Sequence, residues 1–233
     1  MRRKQNNKAV RDFKERSLIT HYNSKSPISE QYRTIRSNIQ FSSVDNEYRT
    51  IMVTSSGPGE GKSTTAANLA VTFAQQGKRV LFIDADLRKP TAHYTFRVSN
   101  AQGLTNVLTK QIPLGEAHRT TEIEGLHILP SGPVPPNPAE LLGSRMMKEI
   151  TKEASEEFDV ILFDTPPLLA VTDGQILANL CDGVVLVVGS QKTENEAALK
   201  SKELLEAAKA KLLGVVLNRK KMKEGNYYYY YGS

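Results

Sequence analysis

The run Ser56-Gly57-Pro58-Gly59-Glu60-Gly61-Lys62-Ser63-Thr64 has the residue types and spacing to cradle a polyphosphate. Glycines let backbone N–H groups turn inward around an anion, and the N-terminus of a following helix adds partial positive charge. In such a loop the lysine, Lys62, reaches the β- and γ-phosphates and the Ser63 hydroxyl holds Mg²⁺. Gly57, Gly59, Glu60, Gly61, Lys62, Ser63 and Thr64 are therefore the expected nucleotide-binding residues. One position departs from the usual pattern. Ser56 stands where the motif has its first glycine, and serine tolerates φ > 0 less well than glycine does. An apolar run, Thr50 to Thr54, precedes the loop and a helix-like run, Ala66 to Gln76, follows it. That strand–turn–helix context separates a phosphate loop from an ordinary glycine-rich connection.

Three aspartates are candidates to complete the site. Asp84 and Asp86 follow the strand-like run Val80–Ile83, and Asp164 follows Val160–Phe163. In a parallel α/β sheet ligands bind at the carboxyl ends of the strands, so all three acids fall on the edge that carries Lys62 and Ser63. Asp164, before Thr165-Pro166-Pro167, suits the aspartate that helps hold Mg²⁺ on a nucleoside triphosphate. Alternate side chains along extended backbone point the same way, so Asp84 and Asp86 can face the metal together. One would serve the metal shell and the other accept a proton from an attacking hydroxyl, help typically worth about 10²–10⁴-fold. The residue types alone leave open which does which.

The elements that must position these groups alternate with little interruption. Strand-like runs fall at 50–54, 80–83, 126–129, 160–163, 184–188 and 213–217, and helix-like runs at 64–76, roughly 103–109, 139–156, 173–179 and 194–210. Strands apolar on both faces, separated by helices, imply an α/β fold: a mostly parallel, P-loop NTPase-like sheet with helices on both faces. Asn137-Pro138-Ala139-Glu140 reads as a helix start, with Asn137 as N-cap, Pro138 in the first turn and Glu140 as the capping-box acid.

Composition narrows the class. The chain has 233 residues, 39% hydrophobic and 24% charged, enough for one large soluble domain with extensions. A single cysteine, Cys181, allows no internal disulfide and suits a reducing cytoplasm. The longest apolar run, Val184–Val188, is far too short to span a bilayer, and no signal-peptide core is present. The net charge is +6, and residues 1–20 hold seven basic against two acidic side chains, leaving the body nearly neutral. Such an arm can lie on anionic lipid or an acidic partner, or remain a solvated terminus. Nucleic-acid binding is not expected, because no basic stripe with interleaved aromatics continues into the body.

Two further stretches stand out. In 26–39, Ile28, Tyr32, Ile35 and Ile39 recur at helical spacing, with Glu30 opposite that stripe, Arg33 intermediate and Arg36 at its edge. The helix could dock a neighbouring subunit or pack on its own domain; spacing does not choose. At the other end, Tyr227, Tyr228, Tyr229, Tyr230 and Tyr231 are consecutive and cannot all bury on one face. They could form a sticky edge strand, or reach an active site, since the residues from 218 to 227 span roughly 30 Å when extended.

Taken together these motifs resemble the cytoplasmic bacterial tyrosine kinases (BY-kinases) of capsule and exopolysaccharide synthesis. The resemblance covers nearly everything from Ser29 to Ser233. It rests on the Walker A stretch Ser55–Thr64 with its Ser56 departure, the Walker A′ stretch Leu81–Pro90, the Walker B stretch Ile161–Pro167, Glu30-x-x-Arg33-x-x-Arg36 and the tyrosine cluster.

The resemblance implies a division into a basic arm (1–25), a kinase domain with an oligomerisation helix (26–222) and a tyrosine-rich tail (223–233). It also implies an ATP- and Mg²⁺-dependent protein-tyrosine kinase, with Lys62 and Ser63 on phosphate and metal, Asp86 and Asp164 supporting the metal, and Asp84 as base. Asn218 and Arg219 would lie at the adenine. Tyr227–Tyr231 would be phosphoacceptors on a neighbouring chain of a cyclic homo-oligomer joined through Glu30, Arg33 and Arg36, alongside tyrosines of other proteins. A membrane adaptor would activate the cytoplasmic kinase and recruit it to the inner face of the membrane, and a phosphotyrosine phosphatase would oppose it. The alternative is a partitioning or division-site ATPase on the same fold; such ATPases usually carry a signature lysine where this chain has Gly57.

Overall fold

The structure is a computed structural model that describes residues 18–42 and 47–220. Its elements in chain order are α1 (Ile19–Tyr22), α2 (Pro27–Phe41), β1 (Thr50–Ser55), α3 (Lys62–Ala74), β2 (Val80–Asp84), α4 (Ala92–Phe96), α5 (Leu104–Leu108), α6 (Leu114–Ala117), β3 (Arg119–Thr120), β4 (Leu126–Leu129), α7 (Pro138–Leu142), α8 (Arg145–Glu157), β5 (Val160–Asp164), α9 (Asp173–Ala178), β6 (Gly183–Gly189), α10 (Asn195–Ala207) and β7 (Leu212–Asn218). The strands form one seven-stranded sheet in the order β3-β4-β2-β5-β1-β6-β7. Every pairing is parallel except β3 with β4.

The alternation of each strand divides the core in two. Ile51, Val53, Val80, Phe82, Val160, Leu162, Val185 and Val187 pack with Leu18, Ile39, α3 and Phe96. Their intervening neighbours Met52, Leu81, Ile83, Ile161, Phe163, Val184 and Leu186 pack with α5 to α10. The expected parallel sheet with helices on both faces is therefore what the chain forms. Register then places the site: Asp84 of β2 lies directly across from Asp164 of β5, and Val53 of β1 pairs with that same Asp164 just before the glycine-rich loop.

Several local expectations need correction. The run 139–156 is two helices, because Gly143-Ser144 interrupts it and the Ser144 hydroxyl caps α8 by accepting from the Met147 N–H at 3.3 Å. The Asn137 side chain does not cap α7; its amide donates to the Glu140 carboxylate at 2.8 Å, so the expected capping box is a side-chain pair. On α2, Ile28 is exposed and Ser29 takes the buried position. The Ser26 cap sets the helix phase, and the Ser29 hydroxyl donates to the Asn23 carbonyl at 2.7 Å. Short α4, α6 and β3 were not anticipated.

The folded body also begins earlier than residue 26. Leu18 and Thr20 are buried, and the Thr20 N–H and hydroxyl both donate to the Asn68 side-chain oxygen of α3, at 3.0 and 2.9 Å. Asn68 in turn donates to the Thr64 carbonyl at 2.9 Å, so α1 braces the helix that starts at the glycine-rich loop. Residues 1–17 and the tyrosine run 227–231 lie outside the described residues. Because Leu18 is 2% exposed, Leu18→Ala should cost about 2–4 kcal/mol of unfolding free energy, measured by urea denaturation.

Candidate active site

The chain leaves β1 at Ser55 and turns through the glycine-rich loop into α3. Gly59 (φ 71) and Gly61 (φ 96) take the left-handed conformations that only glycine adopts cheaply. Ser56 is not among the residues with positive φ, so the position that lacks the motif's glycine does not need one. Gly61 caps α3, and the loop's amides precede the N-terminus of a thirteen-residue helix, the arrangement that attracts phosphate.

Lys62 lies across this edge. Its ammonium donates to Asp86 Oδ2 at 3.2 Å, Asp164 Oδ1 at 3.2 Å and the Ser63 hydroxyl at 3.1 Å. Burial opposes the lysine's charge, but Asp164 and Asp86 outweigh that effect and hold its pKa above the ordinary value. Burial raises the Asp164 carboxyl, with Lys62 pulling the other way. Asp84 is bonded instead by backbone: its Oδ2 accepts from the Thr91 and Ala92 N–H groups at 3.0 and 2.9 Å, and its Oδ1 from Asp86 N–H at 3.3 Å. Burial, and then the nearby Asp164 charge, push its carboxyl up to about 7.

The remaining expected residues take different parts. The Glu60 carboxylate faces protein rather than the cradle, accepting from the Ser56 N–H at 3.0 Å and the Thr193 hydroxyl at 2.6 Å. Asn218, at the end of β7, donates to the Glu60 carbonyl at 2.9 Å and fills the space a Gly61 side chain would need, its Nδ2 only 2.0 Å from that Cβ position. Arg219 follows it in a left-handed conformation (φ 61). Glu30, Arg33 and Arg36 lie elsewhere. Glu30 and Arg33 pair with each other, Arg33 also donates to the Ser24 carbonyl, and Arg36 donates to the Thr72 carbonyl at 2.7 Å. Thr72 is ten residues along α3 from Lys62, a rise of roughly 15 Å.

Three contributors were not foreseen. Lys192 donates to the Pro58 carbonyl at 2.7 Å, Thr193 bonds Glu60, and Arg88 forms a two-pronged pair with buried Asp173 at 2.9 and 3.0 Å. The edge rule that selected the aspartates applies equally to the segment after β6, which is the signal for Lys192 and Thr193.

The residues fit a magnesium ion that arrives with nucleotide. Asp164 Oδ2 is buried with no hydrogen-bond partner among the described residues, on the carboxylate whose other oxygen meets Lys62. Ser63 is beside it, and no group of three or more His, Cys, Asp or Glu among the described residues forms a metal site alone. Mg²⁺ usually takes one or two carboxylates and completes its shell with water and phosphate oxygens.

Comparison with known proteins places this geometry. A family model described as an AAA domain matches residues 48–212. The tyrosine-protein kinase YwqD of Bacillus subtilis is 56% identical over 94% of this chain and 92% of its own length. This chain belongs to the bacterial tyrosine-protein kinases. The putative tyrosine-protein kinase CapB of Staphylococcus aureus is 43% identical over 92% of this chain and 95% of its own. Among solved structures, the chimerical protein CapA2B2 superposes with a TM-score of 0.85 at 46% identity, covering 88% of this chain and 90% of that one. The cell-division ATPase MinD of Pyrococcus furiosus shares the fold more distantly, with a TM-score of 0.64 at 27% identity over 76% of this chain and 75% of its own. The chain is thus a protein-tyrosine kinase of a nucleotide-binding family.

Removing Lys62 leaves two largely buried carboxylates without their cation, a change that costs up to about 3–5 kcal/mol. In nucleotide-free protein, Lys62→Met should lower the urea midpoint, Lys62→Met with Asp86→Asn should recover part of the loss, and neither should bind ATP.

Proposed function

We propose that this kinase transfers the γ-phosphoryl group of ATP, with Mg²⁺, to tyrosines of its own C-terminal cluster on a neighbouring subunit and to tyrosines of other proteins. The observation that carries the reading is the meeting of Lys62, Asp86 and Asp164 at the sheet edge where β7 ends. Asn218 bonds the phosphate loop itself, so the segment bearing Tyr227–Tyr231 starts from the rim of the site.

In this reading the loop amides and Lys62 hold the phosphates, and Ser63, Asp86 and Asp164 hold the metal, which when bound neutralises charge on the transferring group. Asn218 and Arg219 border the adenine. The acceptor's proton goes to Asp84, since a carboxyl held near pH 7 is matched to that transfer. Asp84 is fully buried, so the transfer requires the Thr91–Ala92 turn that bonds it to give way.

We further infer a cyclic homo-oligomer built on α2. Glu30 is exposed, and Tyr22, Ile28 and Phe41 leave 56, 47 and 81% of their surface uncovered on the first two helices, a combination suited to a contact between unlike faces. Within their own subunit Arg36 bonds the Thr72 carbonyl and Arg33 bonds Glu30 and the Ser24 carbonyl, so exposed Glu30 leads the charged contact and both arginines must give up an internal partner to join it. Each tail phosphate adds about −1.5 to −2 charges, enough to drive tails from acidic sites and loosen the ring until a phosphatase removes it. Among the described residues no helix is long and apolar enough to cross a membrane. Recruitment to the inner membrane face would come through a membrane adaptor that also activates the kinase. Control of capsule or exopolysaccharide synthesis would be the output. A relative from Klebsiella pneumoniae is named for its cps region.

Purified protein with an adaptor fragment and labelled ATP should form phosphotyrosine on the tail, lost in Lys62→Met and when residues 227–231 are all Phe. ATP hydrolysis without phosphotyrosine would instead favour a positioning ATPase. Asp84→Asn should cut kcat about 10²-fold or more while ATP still binds; a change under threefold would move the base to Asp86. Light scattering should find the unphosphorylated form assembled and the phosphorylated form smaller, and equal masses would sink the switch.

A further inference from the structure

The phosphate loop is fastened from outside by a segment that precedes α10. Glu60 is 3% exposed, and a buried carboxylate is costly unless its oxygens are bonded. One oxygen accepts from the Ser56 N–H, closing the loop upon itself. The other accepts from the Thr193 hydroxyl at 2.6 Å, while that hydroxyl accepts from the Gly189 N–H at 2.9 Å. Threonine and serine have the donor and acceptor needed for both bonds; valine has neither. The neighbouring Lys192 reaches over the crown, its ammonium on the Pro58 carbonyl at 2.7 Å and 2.6 Å from where a Gly59 side chain would begin.

We propose that Lys192 and Thr193 are positioning residues that latch the phosphate loop in its nucleotide-accepting shape. A loop with glycines at 57, 59 and 61 has many conformations to lose on binding. Holding it in place beforehand removes that cost from the binding step, which is how preorganisation raises affinity. The latch touches the loop through Glu60 Oε1 and the Pro58 carbonyl, so its loss acts through order rather than through a missing phosphate contact. A bound nucleotide re-forms the loop, and the catalytic rate at saturating ATP is then little affected. Lys192 also adds positive charge at the rim of an anion site. The proposal rests on the assignment of this loop as the ATP site and is independent of which tyrosine accepts the phosphate.

The test uses the full chain and a ribose-labelled fluorescent ATP analogue with Mg²⁺. Thr193→Val should raise its Kd about tenfold or more, the loss expected for a hydrogen bond to a charged group. Thr193→Ser should restore it, and Lys192→Met should raise it as well. Without nucleotide, amide hydrogen exchange at residues 56–61 should quicken in the Val and Met variants and not in the Ser variant. With saturating ATP the KM for ATP should rise in step with Kd while kcat stays within about threefold, since the latch supports the ground state and the transition state alike. Unchanged Kd in both Thr193→Val and Lys192→Met overturns the latch, as does a raised Kd with unaltered exchange at 56–61. Lys192 is an exposed side chain, so its variant keeps the test decisive if Thr193→Val fails to fold. Wild-type chain that binds the analogue but forms no phosphotyrosine on its tail would count against the proposed acceptor and leave the latch standing.

Discussion

A lysine almost out of water, held between one carboxylate at the end of a strand and another just past the end of its neighbour, is the constraint on which this structure turns. Lys62 comes from the first residue of α3, Asp164 from the end of β5 and Asp86 from the chain just after β2. None of the three charges is comfortable there alone, since burial disfavours every ionised form. They tolerate one another because the sheet register sets β2 and β5 level and the loop after β1 delivers α3 between them. The two-sided core supports that register: a slip of one residue in any central strand would exchange the apolar sets that face the two helical layers.

Much of this was legible in the residue order. Strands buried on both faces announce themselves as unbroken apolar runs, and a sheet edge collects its ligand-binding acids at predictable places, so the chain order alone singles out Asp84, Asp86 and Asp164. The Ser56 departure proved harmless because the backbone there never enters the left-handed region.

What was hidden has physical reasons as well. Helices of four or five residues, such as α4 and α6, are too short to show a period. Leu141 to Ile150 keeps an apolar rhythm across Gly143-Ser144, so the break is written only in which hydroxyl finds which N–H. Ile28 was expected on the buried stripe, yet Ser29 has the partners that make burial of a hydroxyl tolerable. Glu60 sits inside the motif and looked like part of the cradle, but its side chain answers to Thr193, 133 positions away. Pairings of that span leave no local pattern. The access of the aspartates also separates only in three dimensions: Asp84 is fully buried, while Asp86 keeps an opening beside Lys62.

Asn218 gives the end of β7 a mechanical meaning. The same side chain that presses on Gly61 and bonds the Glu60 carbonyl is one residue before the chain turns away from the sheet at Arg219. A load on the polypeptide beyond that turn meets two anchors at one residue: the Asn218 carbonyl, which accepts from the Ser190 N–H at 2.8 Å, and its side-chain amide, which bonds the Glu60 carbonyl beside the start of α3. Sheet edge and glycine-rich loop are thus tied at one residue.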